Sequence, residues 1–497
     1  MMNDTRKSDS PVIPTKPLNN AVKSAAETVE GRGLAKGNTQ QQNMCRTQSR
    51  ESVPSALERV RQVARRNKDE QFTSLFHNVT IESLYNAFFA LKRRASAGID
   101  GVTWEQYSED LEENLLGLNK RLQRGAYRAK PSRRVFIPKS DGRQRALAIA
   151  SLEDKIVQRA VTEVINAIYE TDFVGFSYGF RPGRSQHQAL DALAVGIRRK
   201  KVNFVLDADI RGFFDAIDHE WMLRFIEHRV ADPRVIRLIR KWLKAGVLED
   251  GKRKKAEEGS PQGAPISPLL ANIYLHYCFD LWAEQWRSRK ATGDVIMVRF
   301  ADDIVVGFQK EFDAKRFLDD LKMRLHKFSL ELHPEKTRLI RFGRFAGQQR
   351  KERDQPKPET FDFLGFTHIC GKNKNGGFLL KRHTSSKRMR VKLKEVKQEL
   401  MRRRHMPIPI QGAWLTRVVI GYFNYHAVPT NINQLTSFRT QIIRNWRHAL
   451  RRRSQHDRTG WVRMYVISNR WIPRARVLHP WPDERFDGRT QGRSPVR

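Results

Sequence analysis

Two adjacent carboxylates, Asp302 and Asp303, stand between the apolar runs 295–300 and 304–308. Neighbouring carboxylates repel, so a cation usually compensates them. Their hard oxygen atoms suit Mg²⁺, which commonly binds one or two carboxylates together with substrate phosphates. A third carboxylate, Asp209, lies at the end of another apolar run, and Gly212-Phe213-Phe214 follows it. Three carboxylates at strand ends could hold two divalent ions ~3.5–4 Å apart, an arrangement that activates a hydroxyl and stabilises the leaving oxygen of an in-line phosphoryl transfer. Plainer readings exist. An Asp-Asp pair can be a solvated acidic turn, although a plain two-residue turn favours Asn-Gly or Asp-Gly. Asp209 alone could cap a helix.

The elements that must position these groups follow from the hydrophobic pattern. The runs around the Asp pair predict a β-hairpin with both carboxylates at its turn, and 203–210 reads as a buried strand. Residues 269–286 predict a long helix. Residues 135–138 read as a strand, followed by a turn at 139–142. Ile156, Val157, Ala160, Val161, Val164, Ile165 and Ile168 predict an amphipathic helix, as do Ile81, Leu84, Tyr85, Phe88 and Phe89. Asp218-His219-Glu220 has no second His or Cys at ligand spacing and reads as a helix start. Residues 1–55, rich in Ser, Thr, Asn, Gln and Gly, predict a mobile extension.

Charge narrows the function classes. The chain has 497 residues, with 93 Lys and Arg against 54 Asp and Glu, a net +39. Residues 381–497 hold 27 of the basic residues and 6 of the acidic ones, a net +21, interleaved with Trp414, Tyr422, Trp446, Trp461, Tyr465, Trp471 and Trp481. Such a balance points to a polyanion, by default nucleic acid, whose phosphates the cations neutralise and whose unpaired bases the aromatics stack on. Arg451, Arg452 and Arg453 follow an amphipathic pattern through Ile442, Ile443, Trp446 and Leu450. They are too closely spaced to share one face, so at least one is expected to reach phosphate; the alternative is a solvated helix end. No run approaches the ~18 apolar residues of a membrane span, and the N-terminus lacks the apolar core of a secretory signal. Cys45, Cys278 and Cys370 form no CxxC pair, which argues against a disulfide scaffold or a cysteine-rich zinc module and for a reducing, intracellular setting.

Asp209-Ile210-Arg211-Gly212-Phe213-Phe214-Asp215, Ser260-Pro261-Gln262-Gly263 and Phe300-Ala301-Asp302-Asp303 resemble three successive palm motifs of reverse transcriptases. Ile137-Pro138-Lys139, Arg145-Ala146-Leu147 and Gly179-Phe180-Arg181-Pro182-Gly183-Arg184-Ser185 are similar to the fingers of group II intron reverse transcriptase/maturases. His333-Pro334-Glu335-Lys336-Thr337 and Phe361-Asp362-Phe363-Leu364-Gly365-Phe366 resemble that family's later palm blocks. The likeness runs from about residue 72 to about residue 482.

The resemblance implies an α+β, right-hand polymerase: fingers and palm with an antiparallel sheet, then a helical thumb and a basic C-terminal extension. The expected division is an extension over 1–55, fingers and palm over 56–370, a thumb over 371–450 and a nucleic-acid-binding extension over 451–497. It implies an RNA-directed DNA polymerase that also binds intron RNA to assist splicing. Its partners would be intron RNA, a DNA primer or target and dNTPs, without a membrane, in the bacterial cytoplasm or nucleoid. Asp209, Asp302 and Asp303 would be catalytic and hold two Mg²⁺. Lys139 and Arg145 would contact the triphosphate, and Gln262 the dNTP and template. Phe214 would exclude a ribose 2′-hydroxyl, and Lys336 would stand near the leaving pyrophosphate. Plainer roles are basic surface for Lys139, Arg145 and Lys336, core for Phe214 and a helix-entry turn for Gln262.

Two departures from the family pattern matter. Phe300 replaces a more usual Tyr, losing only a hydroxyl. No cysteine follows Cys370, so the HNH nuclease of many members is expected to be absent. The rival readings are a retron or CRISPR-associated reverse transcriptase, and a splicing-only maturase. The last predicts a lost catalytic Asp, and all three are present.

Overall fold

The apolar runs that flank the three carboxylates join one four-stranded antiparallel sheet. Its order is β6 (Val295–Phe300), β7 (Asp303–Phe308), β3 (Phe204–Asp209) and β8 (Arg338–Arg341). The computed structural model describes residues 52–138, 144–249, 252–254, 259–260, 262–352, 354, 356–457 and 459–490. The predicted hairpin is present, with Val295 opposite Phe308 and Phe300 opposite Asp303, so that of the two carboxylates only Asp302 sits in the turn and Asp303 already belongs to the strand. Both faces of this sheet are covered, which explains why its strands are nearly continuous apolar runs rather than alternating ones. Leu206, Met297, Ile304 and Val306 face one core, together with Phe317 and Leu321 of the helix Glu311–His326. Val205, Ile296, Val298 and Val305 face a second core, with Leu190, Leu193 and Ile197 of the helix Gln186–Arg199.

A second sheet has the order β2 (Gln144–Ile149), β1 (Ser132–Pro138), β4 (Val247–Glu249) and β5 (Lys252–Lys254). Its β1–β2 and β4–β5 pairs are antiparallel. The β1–β4 pair is parallel, a departure from the purely antiparallel expectation. The turn expected at 139–142 lies outside the described residues, as do residues 1–51 of the expected extension. Residues 52–55 belong instead to the helix Ser52–Arg66. The predicted amphipathic helices are Ile81–Phe89 and Leu152–Asp172. In the second, Ile156, Val157, Ala160, Val161, Val164, Ile165 and Ile168 are all buried.

The long helix expected over 269–286 is interrupted. Ser267–Leu275 passes through a π-helical turn, His276–Asp280, into Leu281–Arg289. A three-stranded sheet comes later in the chain, β9 (Phe361–Phe363), β10 (Phe366–Lys372) and β11 (Phe378–Thr384). The C-terminal helices begin only at Ser386, after this hairpin. They are Ser386–Arg402, Ile408–His426, Ile432–Arg451 and Trp461–Trp471, and they share their own core of Leu400, Leu415, Val419, Phe438, Ile442 and Trp446. Tyr422 stacks on Phe438 at 3.6 Å between centroids, and the Trp446 indole donates to Gln411 Oε1 at 2.8 Å. The last helix, Pro482–Thr490, returns to the helix Gln186–Arg199: Phe486 enters the second core and Arg485 pairs with Asp191 at 3.2 Å. Among the described residues no helix is long and apolar enough to cross a membrane.

Candidate active site

Strand pairing brings the separated carboxylates together. Asp209 ends β3 and Asp303 begins β7, and the two are direct register partners. Directly opposed residues project from the same face of a sheet, with Cβ atoms ~4.5–5.5 Å apart. Asp302 lies in the tight turn that joins β6 to β7. Asp207, two residues before Asp209, shares its face by the strand period of two and lies 3.8 Å from Arg338.

The electrostatics are those of crowded like charges. Asp303 is open to solvent although protein surrounds it on most sides, as on the floor of a cleft. Burial, and then Asp302, Asp209 and Asp207, push its carboxyl up to about 7. Burial, followed by Asp209, raises Asp302, while Arg145 and Lys336 pull it back down. Asp207 is pushed up to about 6, mainly by burial. Oxygen-only donors with excess negative charge fit a hard divalent cation. Among the described residues no three His, Cys, Asp or Glu side chains are gathered closely enough to enclose an ion as they stand. The Lys336 ammonium supplies the counter-charge, 2.6 Å from Asp209 Oδ2. The end of β3 is also fixed by its backbone, since the carbonyl of Asp209 accepts from the His333 amide at 2.7 Å.

Of the other expected residues, Arg145 and Lys336 act on Asp302, while Phe214 and Gln262 are held by neighbouring backbone. Phe214 is half-buried at the edge of the first core, with its ring 5.3 Å from Phe213. The Ser260 amide donates to its carbonyl at 2.7 Å, which ties Ser260 to the segment after Asp209. Gln262 is half-buried, and its carbonyl accepts from the Ala148 amide of β2 at 2.7 Å. That bond ties it to the strand carrying exposed Arg145. Gly263 has φ +114, and a Cβ there would lie 2.9 Å from the Ala148 carbonyl oxygen, so the close approach requires glycine. Lys139 lies outside the described residues. His219 is not a ligand: its Nε2 bonds the Gly259 carbonyl at 2.7 Å, and Asp218 caps the helix His219–Glu227.

The triplet is divided. Arg451 and Arg452 are exposed, whereas the Arg453 guanidinium donates to the carbonyls of Arg404 and Met406. Part of the tail's aromatic surface is open: Trp461 and Tyr465 are exposed, and the Arg447 guanidinium sits 4.5 Å from the Trp461 ring centroid.

Sequence reasoning missed one group beside the site, the buried pair of Arg299 and Asp280. Its signal was present: an arginine inside an otherwise apolar strand and an aspartate inside an apolar helix, each needing a buried partner.

A family model described as "Reverse transcriptase (RNA-dependent DNA polymerase)" matches residues 137–368, from the end of β1 into β10, and so includes the whole central sheet. Protein YkfC of Escherichia coli (strain K12) is 38% identical over 200 residues, 40% of this chain and 52% of that protein. Group II intron-encoded protein LtrA of Lactococcus lactis subsp. cremoris is 37% identical over 224 residues, 44% of this chain and 37% of that protein. Nuclear intron maturase 3, mitochondrial, of Arabidopsis thaliana is 23% identical over 230 residues, 40% of this chain and 31% of that protein. The chain thus spans about half or less of the length of these curated relatives.

Proposed function

We propose that the chain is a group II intron reverse transcriptase/maturase, an RNA-directed DNA polymerase that copies intron RNA into DNA and binds that RNA to assist its splicing; the reverse transcriptase family model over residues 137–368 and the likeness to an intron-encoded protein support this reading. The observation that carries this reading is the pairing of Asp209 with Asp303, with Asp302 in the adjoining turn. In this reading the central sheet is the palm and the β1–β2 sheet with its helices the fingers. The helices from Ser386 onward form the thumb and its basic extension. The substrates are RNA template, DNA primer and dNTPs.

Asp209, Asp302 and Asp303 would hold two Mg²⁺. When bound, the ions neutralise phosphate charge, favour ionisation of the primer hydroxyl and stabilise the leaving pyrophosphate. The remaining work is positioning and charge placement, as phosphoryl transfer demands. Lys139 and Arg145 screen the triphosphate. Gln262, bonded through its backbone to β2, couples the template and nucleotide contact to the fingers. The half-buried Phe214 ring packs under the sugar and leaves no space for a 2′-hydroxyl. Lys336, beside Asp209, donates a proton toward the pyrophosphate. Arg451 and Arg452 reach RNA phosphates. A splicing-only role is disfavoured by the retention of all three carboxylates.

The test is extension of a DNA primer on an RNA template with dNTPs and Mg²⁺. Product that lengthens with the template supports the reading. A protein that binds the primer–template and adds no nucleotide would refute it.

A further inference from the structure

The turn that carries Asp302 is held from beneath by a charged group. Ala301, immediately before Asp302, has φ +57, a left-handed conformation that a non-glycine residue adopts at a cost. Its carbonyl accepts from Arg299 Nη1 at 3.0 Å. The same nitrogen donates to Asn272 Oδ1 at 3.1 Å, and Nη2 to Ser177 Oγ at 2.7 Å. The remaining contacts form a two-point fork onto Asp280, with Nε on Oδ1 at 2.6 Å and Nη2 on Oδ2 at 2.5 Å. Both partners are fully buried.

Asp280 reaches this place because it closes the π-helical turn His276–Asp280. A π turn adds a residue to the helical ladder and rotates the succeeding turns about the axis, and such turns recur at functional sites. The neighbouring segment 176–178 is locked to the same arginine. The Arg299 amide donates to the Phe176 carbonyl at 2.9 Å, and the Tyr178 amide donates to the Arg299 carbonyl at 2.8 Å. Asn272 Nδ2 holds the Gly179 carbonyl at 2.7 Å. A Cβ on Gly179 would lie 2.2 Å from the Ala301 nitrogen, so its backbone presses directly on the turn.

We infer that Arg299, oriented by Asp280, Asn272 and Ser177, is a positioning residue of the polymerase site that fixes the Ala301–Asp302 peptide and thereby the direction of the Asp302 carboxylate. The inference rests on the polymerase reading above. A fully buried ion pair is poor evidence for stability, because apolar residues of similar volume often replace one without loss. What apolar residues cannot supply is the donor on the Ala301 carbonyl, one peptide from a catalytic group. Lysine cannot supply it either while also meeting both oxygens of Asp280, since it lacks the planar fork.

The experiment uses the full chain and two variants, the double Arg299→Met/Asp280→Leu and the single Arg299→Lys. The double variant removes both charges, so no orphaned ion is left in the core. Circular dichroism and RNA binding report folding, and steady-state primer extension separates kcat from KM for dNTP. A displacement of about 1 Å in a catalytic group can cost ~10²-fold in rate. The folded double variant should lose kcat by about that factor, with KM for dNTP and RNA affinity within roughly threefold of the parent. Arg299→Lys should also lose kcat, which a purely structural charge pair would not require. If either folded variant keeps the parental kcat, the inference is overturned. If the double does not fold, the lysine variant decides between the same two outcomes. A parent protein that binds primer–template and fails to extend it would overturn the polymerase reading itself, a different result from parental turnover in the variants.

Discussion

Beside the catalytic turn, Arg299 of β6 and Asp280 of the π-helical turn are fully buried and mutually bonded, whereas at the end of the helix Ile432–Arg451 the arginines Arg451 and Arg452 stand exposed. The buried pair has a defined direction, each group meeting named partners. The C-terminal helices use many charges, on surfaces around a separate apolar core. Buried charges interact strongly at close range and set geometry, while exposed ones are screened within about 8–10 Å at physiological salt and act in sum. Substitutions in the first region should therefore give large, residue-specific losses of chemistry. Those in the second should give small, additive, salt-dependent losses of binding.

The largest expected effect is at the carboxylates. Asp303→Ala should lower primer extension by ~10³-fold or more, since it removes charge compensation and alignment together. Extension within tenfold of the parent in a folded variant would place the chemistry elsewhere. Next comes sugar choice. Phe214→Val should raise the ratio of ribonucleotide to deoxynucleotide incorporation by at least tenfold while some dNTP use remains. An unchanged ratio would make the ring core only, consistent with its packing on Phe213.

The seam between the two regions offers a third prediction. His426, at the end of the helix Ile408–His426, packs 5.3 Å from Phe366 of β10 and 4.3 Å from Tyr422. Burial holds it down to about 4, with Arg388 and His187 adding to the effect. A depressed value means that between about pH 6.5 and 4 the unfolded chain takes up a proton that the folded chain refuses. The stabilisation is complete above about 6.5 and is lost as pH falls, by ~2 kcal/mol at pH 5. His426→Phe should make thermal stability less sensitive to pH between 7 and 5; an identical pH dependence would deny His426 this role. The smallest effect is expected in the tail. Changing Arg451 and Arg452 to Gln should weaken RNA binding and reduce the slope of log affinity against log salt by roughly 0.7–0.9 for each phosphate left without its arginine. Adding Arg453→Gln should disturb folding more than the slope, because that side chain holds the carbonyls of Arg404 and Met406. Equal slopes in parent and double variant would make these charges solubilising.

The two regions also differ in how much of them could be read from sequence. The hairpin was legible in outline, because two apolar runs broken by Asp-Asp permit little else, but the placing of Asp303 in the strand rather than the turn was not. The strand 203–210 was legible too, but its pairing with β7, across 92 residues of chain from Asp209 to Asp302–Asp303, came from motif resemblance and not from its own pattern. The π turn was not legible: Ser267–Arg289 has one unbroken helical character, and the extra residue shows only through what Asp280 must reach. In the tail, composition announced a polyanion but could not separate exposed Arg452 from engaged Arg453. Nor could it show that Arg485 serves an internal pair with Asp191, because local spacing is silent about partners so distant in the chain. A helical thumb was expected from residue 371, whereas β11 fills 378–384 and helices begin only at Ser386, because the apolar residues of β11 sit among lysines and arginines.

The most direct measurement takes one preparation of Asp302→Ala, shown by circular dichroism to be folded, and assays it twice against the parent: for DNA synthesis on an RNA template, and for splicing of the flanking intron RNA at low Mg²⁺. The expected result is that DNA synthesis is abolished while assisted splicing stays within about twofold of the parent, since in the proposed reading the three carboxylates act on bound nucleotide and the basic surfaces act on RNA. Equal loss of both activities would contradict that division of labour.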